Sequence, residues 1–191
     1  MQYHMRIIVW VLTLLLCLQT ISISWAGKAE DQQRRLLLGL NFFPNVVAVD
    51  EDILTKRTAS GKLRLVLVYR DDRERAERLA QRLDNKVRTV KKTPVEIAIT
   101  DDPVKEFSPS NRPAGLFLTE WLSDLVFQKI IRFGMNQQLI VFSPFVGDVE
   151  RGATAGLYIG TKIRPSLNLS TLRASDIRIH KVFRRLSKHY E

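Results

Sequence analysis

Residues Leu63-Arg64-Leu65-Val66-Leu67-Val68-Tyr69 set the tightest limit on the fold. In a strand, successive side chains point to opposite faces, so a run this apolar needs cover on both sides. Helices supply such cover, and they also carry the crossovers that join parallel strands. The chain provides them in alternation. Asp71 and Asp72 are helix-start residues, followed by Ala76, Leu79, Ala80 and Leu83 at helical spacing. Residues 94–99 alternate and read as a second strand, 115–118 as a third and 139–142 as a fourth. Between the last two, a helix is predicted from Trp121 to Phe133, with Leu122, Leu125, Val126 and Ile130 inward and Gly134 as its stop. This pattern specifies an α/β three-layer sandwich with a mostly parallel sheet and helices on both faces.

The flanks complete the pattern. A helix over 29–44 places Leu36, Leu37, Leu40 and Phe43 on one face and ends at Pro44. A polar stretch then runs to about Gly61, and 101–113, with three prolines, reads as a loop. Residues 155–159 and 161–163 are expected to form a late strand pair or one bent strand near the C-terminus. A last helix is predicted from Ser175, with Val182, Phe183, Leu186 and Tyr190 on one stripe.

Residues 1–26 have the three-part layout of a secretory signal. Arg6 precedes an uncharged run, Ile7 to Leu16, and the segment closes on Ser24-Trp25-Ala26, small residues at the positions a signal peptidase reads. The expected organisation is a cleaved signal, 1–26, and a single α/β domain, 27–191, in the periplasm. An uncleaved anchor is the alternative, but Gln19, Thr20, Ser22 and Ser24 are too polar for a good bilayer core. Cys17 is the chain's only cysteine, and a cut after Ala26 removes it. A mature chain without cysteine has no disulfide, thiolate nucleophile or Cys-ligated metal.

The full chain carries a formal charge of +10. In the cytosol that would suggest nucleic acid. Outside it, the anions on offer are phospholipid head groups, cell-wall polymers and acidic proteins, so no nucleic-acid partner is expected.

Catalytic patterns are not evident. His180 and His189 are nine residues apart, too far to share a helix face as metal ligands do. No Gly-x-Ser-x-Gly elbow occurs. Gly152, Gly156 and Gly160 recur without the Lys-Ser/Thr of a phosphate loop, and read as close packing or a bend. The acidic pair Asp71-Asp72 is read as a helix N-cap. Asn168-Leu169-Ser170 fits the glycosylation pattern, which matters only in a eukaryotic secretory route. No enzyme activity and no cofactor is therefore expected. In a parallel sheet, ligands sit beyond the carboxyl ends of the strands. Those ends carry Asp71, Asp72, Thr119, Glu120, Ser143, Pro144 and Phe145, a candidate crevice for a ligand or a partner.

The tail carries a resemblance. Gly152-Ala153-Thr154-Ala155-Gly156-Leu157-Tyr158-Ile159, then Asn168-Leu169, then Arg173, Ile177 and Ile179 and a short basic helix with Leu186, resembles the end of the YfiR/HmsC family of bacterial periplasmic regulators. In architecture the resemblance covers most of 27–191, and in residue identity mainly 150–187. Gly152, Gly156, Asn168, Leu169 and Ile179 match structural positions of the motif. The chain departs from the family in having Gly152-Ala153 for Gly-Gly and in lacking the family's cysteines. The resemblance implies a protein that binds and restrains the periplasmic part of an inner-membrane signalling protein, of diguanylate cyclase or sensor kinase type; for such a regulator the expected contact surface is an apolar patch with a basic rim. The alternative is a small solute-binding component of a transport or sensing system. Whether a small polar ligand or a second copy of the chain also binds stays open.

Overall fold

The computed structural model describes residues 30–191, so the leader-like segment 1–26 and Cys17 lie outside the described residues. Residues Leu36–Glu191 form one compact unit, and the helical residues 30–35 belong to the segment before it.

The unit is built on an eight-stranded sheet of order β2-β3-β1-β4-β5-β6-β7-β8. The strands are β1 (Leu63–Val68), β2 (Thr89–Val90), β3 (Thr93–Thr100), β4 (Gly115–Leu118), β5 (Ile140–Ser143), β6 (Ala155–Ile159), β7 (Ile163–Asn168) and β8 (Lys188–Tyr190). Strands β3, β1, β4, β5 and β6 run parallel, and β6 and β7 form the late antiparallel pair, whose second strand runs over 163–168 rather than the expected 161–163. The helices are α1 (residues 30–48), α2 (Arg73–Lys86), α3 (Pro103–Glu106), α4 (Asp124–Asn136), α5 (Leu169–Ala174) and α6 (Lys181–Leu186).

Strand β1 feeds two cores, as its composition requires. Leu63, Leu65 and Leu67 join one cluster with Leu40, Phe43, Leu79 and Leu83 of α1 and α2. Val66 and Val68 join the other, with Phe127, Ile130 and Ile131 of α4. The first cluster centres on three rings, Phe43, Phe117 and Phe142, whose centroids lie 5.5–6.0 Å apart. That spacing suits tilted and offset aromatic pairs.

Several expectations are corrected. Helix α1 does not end at Pro44 but continues to residue 48. Pro44 gives no N–H to the Leu40 carbonyl, at a cost of about 3 kcal/mol in a helix interior. Val46 and Val47 beyond it are fully buried, and burial of about 1.5–3 kcal/mol each offsets that cost. Helix α4 begins at Asp124 and passes through Gly134, where a side chain would collide with Val141. Gly134 is therefore a contact point, and the helix ends instead at Asn136, with Gln138 just beyond it at a φ of 57° in the left-handed position. Leu125, expected inward, is 80 % exposed, and Phe127 takes the core position.

A further correction concerns the C-terminus. The loop after β7 folds into α5, capped by Asn168 Oδ1 accepting from Thr171 N. The last helix begins at Lys181 rather than at Ser175, which instead caps the end of α5; this helix, α6, lasts only six residues, and the chain then pairs as β8 along β7. Tyr190 is thus a strand residue, and Val182 and Leu186 stay exposed while Phe183 packs inward. The open edge of β7 offers backbone partners that a longer helix would leave unused. Residues 53–56, 103–106 and 109–111, expected as irregular chain, hold short helical turns.

A buried ion pair ties distant loops. Lys56 Nζ meets Asp50 Oδ2 at 2.5 Å and also donates to the Gln138 carbonyl. Burial pushes the Lys56 ammonium below its ordinary value, and Asp50 opposes that shift. The turn after α1 is thereby anchored to the turn before β5. No helix among the described residues is long and apolar enough to cross a membrane.

Candidate functional site

Sheet order places a switch point at β1, because the chain passes to β3 on one side and to β4 on the other. Asp71, Asp72, Thr119 and Glu120 meet there. Asp72 caps α2, its Oδ1 accepting from Arg75 N at 2.8 Å. Glu120 Oε1 accepts from the backbone N–H groups of Arg70, Asp71 and Asp72 at 2.6, 3.1 and 3.3 Å. Three amides aimed at one point make an anion cradle, and the protein's own carboxylate fills it. Thr119 is fully buried, and its hydroxyl donates to the Val68 carbonyl at 2.9 Å. Asp71 is exposed.

Ser143, Pro144 and Phe145 belong to a neighbouring arrangement. Ser143 Oγ donates to Asp148 Oδ2 at 2.6 Å and accepts from Phe145 N. Asp148 Oδ1 in turn accepts from Arg151 Nη1 at 2.6 Å. Burial pushes the Asp148 carboxyl above its ordinary value, with Ser143 and Arg151 acting against it. The Arg151 guanidinium also reaches Asp124 at 2.6 Å and lies 4.2 Å from the Phe127 ring centroid and 5.2 Å from that of Trp121. Pro144 is buried against Gly39, where an added Cβ would lie 2.8 Å from its own Cβ. Apart from the exposed Asp71, the hydroxyls and carboxylates at the strand ends therefore face internal partners.

The motif residues are structural. Gly156 passes so close to β5 that a Cβ would lie 2.6 Å from the Ser143 carbonyl oxygen. Gly152 holds a φ of 120°, which favours glycine. Asn168 is 4 % exposed and its Nδ2 donates to the Val149 carbonyl, so its amide is withdrawn from modification. Leu169 and Ile179 reach a surface feature that strand-end reasoning missed.

That feature is an open groove of about 300 Å³ beside α5 and α6. Leu169, Leu172, Ile177 and Ile179 line it with apolar surface, and Arg173, Arg178, Lys181 and Arg184 supply cations around them, with Glu51 the one acidic lining residue. Its wall is the pairing of 49–52 with 178–180, through Glu51 N to the Arg178 carbonyl at 2.9 Å and His180 N to the Val49 carbonyl at 3.0 Å. Arg178 grips Asp52 with two hydrogen bonds of 2.6 and 3.1 Å. That contact holds the Asp52 carboxyl below its ordinary value. Arg173, Lys181 and Arg184 are exposed. The sequence signal for this groove was the basic composition of 173–185, interleaved with Ile177 and Ile179.

His180 and His189 are exposed, and His189 Nε2 lies 2.5 Å from the Arg184 carbonyl oxygen. No group of side chains arranged to hold a metal ion occurs among the described residues.

No protein-family profile matches the chain, and no curated protein matches it. Among solved structures, the chain is similar to a Streptococcus pneumoniae protein described as an ABC domain in complex with L-Trp. The identity is 9 %, the TM-score 0.44, and the match covers 75 % of this chain and 61 % of that one. The chain thus spans less than two thirds of that structure's length, and a likeness at this level carries no argument about function.

Proposed function

We propose that this chain is an exported regulatory binding protein that contacts and restrains the periplasmic part of an inner-membrane signalling protein, of diguanylate cyclase or sensor kinase type. The observation that carries the reading is the groove beside α5 and α6, an apolar floor under a rim of Arg173, Lys181 and Arg184. Protein interfaces favour this composition, an apolar centre with arginine among the anchors. The resemblance of residues 150–187 to YfiR/HmsC regulators supplies the class of partner, and the layout of residues 1–26 supports export. Regulation by contact needs no catalytic group. A small solute held at the strand ends has less on its side, because Glu120 fills the amide cradle and the Thr119 and Ser143 hydroxyls are buried and bonded.

The test is cross-linking in intact cells followed by purification of the chain. The expected result is an inner-membrane protein with a periplasmic domain, captured by the natural chain and lost with Arg173→Glu/Arg184→Glu at a melting temperature no lower than that of the natural chain. For a cyclase partner, deletion of the gene raises cyclic-di-GMP, and the double variant reproduces that rise. Capture that survives the double variant, or no membrane partner at all, overturns the reading.

A further inference from the structure

Residues 162–191 hold eight Lys and Arg against two Asp and Glu, whereas residues 30–161 hold 20 against 18. The charge excess is therefore local. Around α2, Arg73, Arg75, Arg78 and Arg88 each meet a carboxylate three or four residues away. Among the described residues, the eight cations of the last stretch make one ion pair, Arg178 with Asp52. Lys162, Arg164, Arg185 and Lys188 are exposed, and Arg164 and Lys188 lie 5.9 Å from the rings of Tyr158 and Tyr190.

A second observation lies on the same part of the molecule. Ile159 and Ile163, at the β6–β7 turn, are 38 % and 39 % exposed. Val182 and Leu186, one turn apart on α6, are 49 % and 63 % exposed. Ser166 pairs with Lys188 across the parallel β7–β8 ladder, which brings the end of α6 beside the start of β7. Exposed aliphatic side chains thus stand among Lys162, Arg164, Arg185 and Lys188.

We infer that this end of the molecule docks on the surface of an anionic lipid bilayer. The cations meet lipid phosphates, and the aliphatic side chains enter the head-group layer, as in interfacial binding without a membrane span. A nucleic acid would take the cations but give nothing to Leu186 or Val182. A bilayer rewards both, and each cation near an anionic leaflet multiplies partitioning about fivefold. This docking goes beyond the partner reading and uses side chains other than those lining the groove.

The experiment is sedimentation of the protein, as the cell processes it, with vesicles of phosphatidylcholine alone or with about a third phosphatidylglycerol. Binding is expected only with the anionic vesicles, and to weaken sharply between about 0.05 M and about 0.5 M salt. Arg185→Gln/Lys188→Gln lowers partitioning about 30-fold. Leu186→Ser keeps the charge and lowers it about fivefold. Arg73→Gln/Arg78→Gln, which removes the same charge from α2, stays within about twofold of the natural chain. Three results overturn the inference: no binding to anionic vesicles at low salt, binding indifferent to Leu186→Ser, or an equal loss from the α2 control. Indifference to Leu186→Ser marks plain polyanion adsorption, which an acidic protein would share. Any of these leaves membrane-partner capture through the groove standing, and a failed capture leaves vesicle binding standing.

Discussion

Glu120 follows β4 on the surface, yet one of its carboxylate oxygens collects the amides of Arg70, Asp71 and Asp72. An open doubly wound sheet offers such amides to a ligand, and here a side chain stands in the ligand's place. Removing it leaves those amides to water, because the turn is partly exposed. Glu120→Ala is therefore expected to cost about 1 kcal/mol, and Glu120→Gln, which keeps an acceptor oxygen, about half of that. Urea unfolding gives the magnitudes, and amide exchange at Arg70–Asp72 gives the location, with faster exchange in the alanine variant. If Glu120→Ala leaves both unchanged, water replaces the carboxylate without loss, and the cradle is open to an outside anion.

At the level of elements, the groove depends on the pairing of 49–52 with 178–180, which Arg178 and Asp52 lock from the side. The hydrogen bond from Arg178, aided by its charge, holds the Asp52 carboxyl below its ordinary 3.8. A carboxyl with a lowered folded value adds stability that is complete above its unfolded value and lost as pH falls through the folded one. The amides of Glu51 and His180 are therefore expected to exchange faster below about pH 4, and Arg178→Gln to abolish that pH dependence. Hydrogen exchange across pH 3–6 reads both, and a pH-independent wall would mean the pair does not hold it. Sequence reasoning reached the parallel strands and the Asp72 cap because those signals are local: an apolar run, a helical period, an acid before a helix. It did not reach the continuation of α1 through Pro44, because burial of Val46 and Val47 beneath the rest of the fold decides it. It missed β8 because three residues pair only where β7 leaves an edge. The wall of the groove was equally hidden, since Asp52 and Arg178 meet across 126 residues of chain, although the basic 173–185 stretch was legible. Asp71, Asp72, Thr119 and Glu120 do lie together, as the strand order implies, but their bonds were not legible, because the Glu120 contacts depend on how β1 and β4 sit side by side.

Across the whole molecule, charge is balanced in one part and unbalanced in another. Residues 30–161 come close to neutrality, and Arg73, Arg75 and Arg78 of α2 are paired with carboxylates of their own helix or its cap. The cations of 162–191 instead crowd α6 and the β7–β8 edge with few carboxylates to offset them. Like charges within a screening length of about 10 Å repel, and salt weakens that repulsion. The folded chain is thus expected to gain stability with salt, its melting temperature rising by a few degrees between about 0.05 M and about 0.5 M sodium chloride. Arg185→Gln/Lys188→Gln removes two of the crowded cations, so it should raise the low-salt melting temperature and flatten its salt dependence. Arg73→Gln/Arg78→Gln should do the reverse or nothing, because those cations are already matched. The same double change at Arg185 and Lys188 is the one expected to weaken bilayer docking, so stability and binding pull in opposite directions at this end, as they do where a surface is kept for a partner. A salt-independent melting curve for the natural chain would show that the crowded cations do not strain the fold, and the argument that they are held there for an outside anion would lose this support.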